Sequence, residues 1–344
     1  MAGKLSFASD YMEGAHPQIL RHLAETNMLK TAGYGLDEFS ASAKEKIRAA
    51  CGTPDADIFF LVGGTQANAV MIDAILRPWQ GVLSAETGHI NTHEAGAVEF
   101  GGHRILALPH RDGKISADTI RAAVRTYQQD ENRDHTVMPG MVYISHPTEY
   151  GTLYSRAELK EISGVCRENH IPLYLDGARL AYALACPEND VTLRDLGECC
   201  DAFYIGGTKC GALFGEAVVI PRHGFIPHLF TIIKQHGALL AKGRIAGIQF
   251  DTLFTDGLYF SIGRTAVEAA DRLRKALTEK GYSFAFHSPT NQIFIVLDRS
   301  AAASLSEKVE MGFWENTEDG RTVLRLATSW ATQTEDINAL IDVL

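Results

Sequence analysis

The feature that most constrains this chain is an alternation: short apolar runs, each followed by a stretch with helical spacing. The run at 58–62 ends in Gly63-Gly64 and leads into a helical pattern over 67–76. The run at 104–108 turns at Asp112-Gly113 and passes into 116–129. A third run, 141–145, precedes a helix opening at Ser155, where Glu158 stands at capping-box spacing and Leu159, Ile162, Val165 and Cys166 form a stripe. Further short runs lie at 172–175, 202–205 and 216–220. Strands joined by helices of about ten residues or more need right-handed crossovers, and so form a largely parallel sheet flanked by helices. The expected class is α/β.

From about residue 250 the pattern changes to a long helical stretch, 259–280, then strand-like runs at 292–297 and 322–327. These need not join the main sheet. We therefore expect a large domain over residues 1–250 and a smaller α+β domain over 251–344.

A formal charge of -10 excludes the basic footprint of a nucleic-acid binder. No apolar stretch approaches the ~18 residues that span a bilayer, and the first ten residues lack an apolar signal core. Six cysteines without a Cys-x-x-Cys pair read as reduced thiols of a cytoplasmic protein, with no metal site expected.

In open parallel sheets, ligands sit beyond the carboxyl ends of the strands. After the run at 58–62 come Gly63, Gly64, Thr65, Gln66, Ala67 and Asn68. Small residues there let a helix N-terminus meet a phosphate, although glycines in such a turn also occur for steric reasons alone. The lysine of a P-loop is missing. Asp176-Gly177-Ala178-Arg179 follows the run at 172–175. An aspartate so placed stays ionised if it meets a cation, such as a protonated ring nitrogen; by itself it also suits a simple turn. After 202–205 comes Gly206-Gly207-Thr208-Lys209-Cys210-Gly211. A lysine among glycines at a strand end, partly desolvated, has a lowered pKa and can bond to an aldehyde. A phosphate cradle, a carboxylate and an amine, each after its own strand, are the three groups that pyridoxal phosphate requires.

The segments from Phe60 to Asn68, Leu173 to Arg179 and Tyr204 to Gly215 resemble those of fold-type-I pyridoxal-phosphate enzymes, and specifically the low-specificity L-threonine aldolase group. The resemblance runs from Ser9-Asp10 to Arg325-Leu326-Ala327-Thr328-Ser329. Related β-eliminating lyases share some of these motifs. The resemblance implies retro-aldol cleavage of L-threonine or L-allo-threonine to glycine and an aldehyde. It also implies a homo-oligomer, often a dimer of dimers, with sites built across subunits.

By position it assigns Gly64, Thr65 and Thr208 to cofactor binding, Lys209 to the cofactor's aldehyde and Asp176 to its ring nitrogen. His89 matches the histidine stacked on the ring, and Arg179 matches an arginine near the phenolic oxygen and the substrate carboxylate. Arg325 matches the arginine that grips that carboxylate, a task suited to a guanidinium fork. Ser9 and Tyr34 match residues near the active site, Tyr34 from a neighbouring subunit, and one of Lys234, Lys242 and Arg244 is expected to reach a neighbour's phosphate. The chain departs from the group at Glu149, where several members carry a histidine. Glu149, His89 or a water is then the base that acts on the substrate hydroxyl. Two other readings stand beside this one. The chain is then another fold-type-I enzyme, such as a β-eliminating lyase or an aminotransferase, or else an α/β protein that binds a different phosphate ligand.

Overall fold

The computed structural model of the chain describes residues 4–344. Its main sheet has seven strands in the order Asp57–Leu61, Glu216–Ile220, Ala202–Gly206, Leu173–Asp176, Met138–Ser145, Gln80–Ala85 and Arg104–Leu108. Every pairing is parallel except those of Glu216–Ile220, which runs antiparallel to both neighbours.

Period-two alternation sends successive side chains to opposite faces. Val142, Ile144, Leu173, Leu175, Phe203 and Ile205 pack into one core beneath the Arg156–Glu168 and Leu258–Glu279 helices. Met141, Tyr143, Tyr174, Ala202 and Tyr204 enter a second core with Val70, Met71 and Ile72 of the Gly64–Ile75 helix. Both faces are therefore covered, as a parallel sheet requires. The capping box expected at Ser155 and Glu158 is formed, and it starts the Arg156–Glu168 helix.

The two C-terminal runs pair with each other, apart from the main sheet. Gln292–Leu297 and Thr322–Ala327 lie antiparallel in a four-stranded sheet with Gly312–Asn316 and Ser283–Phe284. Leu5–Ser6 pairs in parallel with Val309–Glu310, and Phe7 accepts a backbone hydrogen bond from Ala327. The start of the chain thus lies against the small sheet, which carries Ser9 and Asp10 toward the crevice between the two sheets.

The Gln80–Ala85 strand lies between Met138–Ser145 and the edge strand Arg104–Leu108, yet its residues form no clear apolar run. Gly81 is there for space, since a Cβ would sit 2.7 Å from the carbonyl oxygen of Arg104 on the next strand. No helix of the described residues is long and apolar enough to cross a membrane.

Candidate active site

Strand ends and the loops after them surround a cavity of about 360 Å³, lined among others by Gly64, Thr65, His89, Glu149, Asp176 and Lys209. It continues into an outer chamber reached by Phe313, Trp314 and Arg325 of the small sheet. Eight residues singled out from sequence therefore meet here from five segments of the chain: Gly64, Thr65, His89, Glu149, Asp176, Arg179, Thr208 and Lys209.

Asp176 is buried, and its carboxylate is held by neutral donors. The Tyr204 hydroxyl donates to Oδ1 at 2.5 Å, as does the Ala178 amide at 3.0 Å, while the Tyr143 hydroxyl and Asn68 donate to Oδ2 at 2.7 and 3.0 Å. Burial alone would raise its pKa. The nearby His89 imidazole and the donors from Tyr204, Tyr143 and Asn68 outweigh burial and hold it below the ordinary carboxylate value.

Lys209 is buried, and desolvation together with the Arg179 charge lowers its pKa, partly offset by Asp10, Asp176 and Glu216. Its loop is fixed by the Tyr182 hydroxyl, which donates to the Lys209 carbonyl. Arg179 forms a two-point pair with Asp10, Nε to Oδ2 at 2.6 Å and Nη2 to Oδ1 at 3.0 Å. Asn291 also donates to Asp10 Oδ2 at 2.9 Å. Burial works against the Asp10 charge, but Arg179 and Lys209 hold its carboxyl far below the usual range.

Arg325 donates to the Ala8 carbonyl at 2.9 Å and to Gln292 Oε1 at 3.2 Å, while its buried Nε has no partner. Its guanidinium lies 5.7 Å from the centre of the Trp314 ring.

Glu149 is buried, which raises its pKa against the opposing effect of the Ser145 hydrogen bond. Its Oε1 accepts from the Ser145 hydroxyl at 2.7 Å and from the His89 amide at 2.9 Å. His89 in turn meets Glu94 through Nδ1 at 2.7 Å, and Asn68 donates to the same Glu94 oxygen at 2.7 Å. Asn68 thus links the support of His89 to that of Asp176.

Other expected residues lie elsewhere. Ser9 has a buried hydroxyl without a partner. Tyr34 lines a separate pocket with Phe230 and Ile233, and the Lys234 ammonium sits 4.7 Å from its ring centre. Arg244 donates to the carbonyls of Leu29 and Asn27. Of two further histidines close to these segments, His93 lines the cavity, whereas His146 is buried against Asn189 and its pKa falls to about 4. Sequence reasoning passed over Tyr143, Tyr204, Asn68, Glu94, Asp10 as the partner of Arg179, Glu216 and Trp314. Asn68 and Tyr204 stand inside motifs already singled out. The tyrosines read as ordinary strand residues until the strands are placed side by side.

The residues fit pyridoxal phosphate. Asp176 is an ionised buried carboxylate whose hydrogen bonds come from neutral donors only, and so suits a cationic ring nitrogen. The Gly64–Ile75 helix begins beside the cavity with no side-chain cap, leaving first-turn amides for a phosphate. At Gly64 a Cβ would come within 2.9 Å of the Tyr204 hydroxyl, so a larger residue would crowd this end of the cavity.

A family model described as "Beta-eliminating lyase" matches residues 6–302. The chain belongs to the β-eliminating lyase family. Within this family it is similar to the low specificity L-threonine aldolase of Pseudomonas aeruginosa, with 30% identity over 97% of this chain and 95% of the relative. A solved structure of Leishmania major threonine aldolase superposes with a TM-score of 0.94 at 42% identity, covering 98% of each chain. An aspartate aminotransferase from Thermus thermophilus, 16% identical, superposes with a TM-score of 0.74 over 99% of this chain and 90% of its own. That last likeness concerns the fold alone, and the fold is fold type I, as the strand-end motifs implied.

Proposed function

We infer that the chain is a threonine aldolase, a carbon–carbon lyase that cleaves L-threonine or L-allo-threonine to glycine and acetaldehyde with the aid of pyridoxal phosphate. The observation that carries this reading is the meeting of Lys209, Asp176, His89 and Glu149 around one cavity.

Pyridoxal phosphate, when bound, supplies an electron sink for charge left on the substrate α-carbon. Lys209 would hold its aldehyde carbon, Asp176 its ring nitrogen, His89 one ring face, and Gly64, Thr65 and Thr208 its phosphate.

Arg325 and Arg179 would bind the substrate carboxylate. Arg179 has two of its nitrogens committed to Asp10, so it is held firmly and keeps Nη1 for a ligand. Arg325 lines the outer chamber and is held there by the Ala8 carbonyl and Gln292. Holding the carboxylate fixes which α-carbon bond stands ready to break.

Glu149 would take the proton of the substrate β-hydroxyl on Oε2, because Oε1 is already bonded to Ser145 and His89. Burial raises its basicity, which suits a carboxylate to this task. The Glu94 contact favours His89 as a second reading for the base: with Nδ1 bonded to Glu94, Nε2 is the nitrogen able to accept a proton.

The division of labour follows the two sheets: residues 1–250 would carry most cofactor contacts, and 251–344 the carboxylate grip through Arg325. Tyr34 and Lys234 would serve a partner's site in a dimer of dimers, a reading supported by the exposed Met28, Leu29 and Leu36 close to Tyr34 in sequence. All six cysteines are free and buried, in keeping with the reducing cytoplasm.

Product analysis tests this reading. With pyridoxal phosphate and L-threonine, glycine and acetaldehyde in equal amounts are expected. Ammonia and a keto acid would instead indicate β-elimination.

A further inference from the structure

Glu216 is the first residue of the antiparallel strand Glu216–Ile220, and the chemistry above does not use it. It is 3% exposed, yet it lines the cavity beside Gly64, Thr65, Tyr204 and Thr208, at the end assigned to the phosphate. A carboxylate is a poor neighbour for a dianion, so its presence there calls for a physical reason.

The hydrogen bonds supply one. Glu216 Oε2 accepts from the Gly207 amide at 3.0 Å, and Oε1 accepts the Thr208 hydroxyl proton at 2.7 Å. Thr208 Oγ1 in turn accepts from the Gly215 amide at 3.0 Å. A hydroxyl has one proton and two lone pairs. While Glu216 is ionised, that proton is committed to Oε1, and Thr208 can offer an anion nothing but lone pairs. If Oε1 is protonated, the bond can reverse. Glu216 then donates to the second lone pair of Thr208 Oγ1, and the Thr208 proton is released toward the cavity.

We propose that Glu216 is a positioning residue that binds a proton together with the cofactor's phosphate, turning Thr208 from a blocked hydroxyl into a phosphate donor. The inference rests on the placement of pyridoxal phosphate described above.

Burial pushes the Glu216 carboxyl up to about 8, against the lowering effect of the Thr208 and Gly207 hydrogen bonds and of Lys209, with Asp176 adding to the rise. Several other groups face it. Tyr204, Tyr174 and Tyr259 have pKa values well above the ordinary one because of burial, and Cys210 is pushed up to about 12. All four are neutral near pH 8, and Asp176 stays ionised throughout. Lys209, whose pKa is lowered by burial, faces it as well and is common to wild type and Glu216→Gln. A bound phosphate monoester is already a dianion above about pH 6 and adds no titration of its own. The sign follows: below the Glu216 pKa the proton is in place and affinity is full, and above it the proton must be taken up at rising cost.

The test is binding of pyridoxine phosphate, which lacks the aldehyde and so leaves the Lys209 amine unreacted. Affinity would be measured by titration calorimetry at pH 7 and pH 9, in two buffers of different ionisation enthalpy. The wild-type Kd should rise about tenfold over this range, with net proton uptake near pH 8. Glu216→Gln carries a permanent donor toward Thr208 and should vary no more than about twofold, with little proton uptake. Thr208→Val should bind weakly at both values and lose the difference. Pyridoxine, which has no phosphate, should show no difference between wild type and Glu216→Gln. Equal pH dependence in wild type and Glu216→Gln would overturn the proposal, as would a full pH effect in Thr208→Val. A protein that binds pyridoxine phosphate at neither pH, and gains no visible absorbance with pyridoxal phosphate, would instead sink the cofactor assignment and this inference with it.

Discussion

The Tyr204 hydroxyl donates to Oδ1 of Asp176 at 2.5 Å, from the strand adjacent to the one that Asp176 ends. The nearby His89, this bond and its counterparts from Tyr143 and Asn68 keep a buried carboxylate charged despite its burial. Asp176→Asn should retain part of the cofactor but lose most turnover, a fall in kcat of at least about a hundredfold. Tyr204→Phe should cost less, about tenfold, because two side-chain donors remain. Steady-state kinetics on fully loaded enzyme check both. Full activity in Asp176→Asn would remove the proposed role of that carboxylate.

Glu149 offers a test in pH. Its pKa is raised by burial, and as a base it works only when deprotonated. Activity should therefore be present above that raised pKa and fall as pH drops through it, at values above the usual carboxylate range. Glu149→Gln should lower kcat by about 10²–10⁴-fold and abolish this acid limb. If the limb persists unchanged in Glu149→Gln and vanishes in His89→Asn, the base is His89.

The Arg179–Asp10 pair ties the start of the chain to the strand-end loop after Asp176. Removing one partner leaves a buried charge unmatched, so Asp10→Ala should destabilise the protein by about 3–5 kcal/mol. Because the folded carboxyl is held far below its unfolded value, the pair's contribution is complete above the unfolded pKa of about 4 and is lost as pH falls toward the folded one. Denaturation profiles from pH 7 down to 3 should show wild type and Asp10→Ala converging. Parallel profiles would contradict this.

Much of this was legible in the sequence. Glycines, Asp176 and Lys209 each follow an apolar run, so the parallel-sheet rule alone brings them together. Gln292–Leu297 and Thr322–Ala327 were readable as strands that need not join the main sheet, and they pair with each other in a sheet of their own. Gln80–Ala85 was not readable, because Gly81, which leaves room for the Arg104 carbonyl, and Ser84 interrupt the apolar signal. Glu216 looked like the edge of an apolar run; its role depends on a pairing with the lysine's strand that sequence order does not reveal. Tyr34 lies away from its own chain's cavity. Only the resemblance pointed to it, since nothing in the local sequence pattern marks it.

Trp314 closes the outer chamber, with its ring 4.9 Å from Phe294 and 5.7 Å from the Arg325 guanidinium. Trp314→Ala should loosen Arg325 and raise KM about 2–30-fold, corresponding to about 0.5–2 kcal/mol of cation–π contact, with a smaller change in kcat. Arg325→Ala should raise KM further. A kcat loss with KM unchanged in either variant would mean that neither residue serves to hold the substrate.

If Lys209 carries the aldolase chemistry of this chain, its loss must abolish both products. The most direct measurement is coupled detection of glycine and acetaldehyde from L-threonine and L-allo-threonine, on wild type and Lys209→Ala, both supplied with pyridoxal phosphate. Equal yields of the two products from wild type and none from Lys209→Ala are the predicted result. Undiminished product from Lys209→Ala, or a wild type that colours with the cofactor but releases neither product, would contradict it.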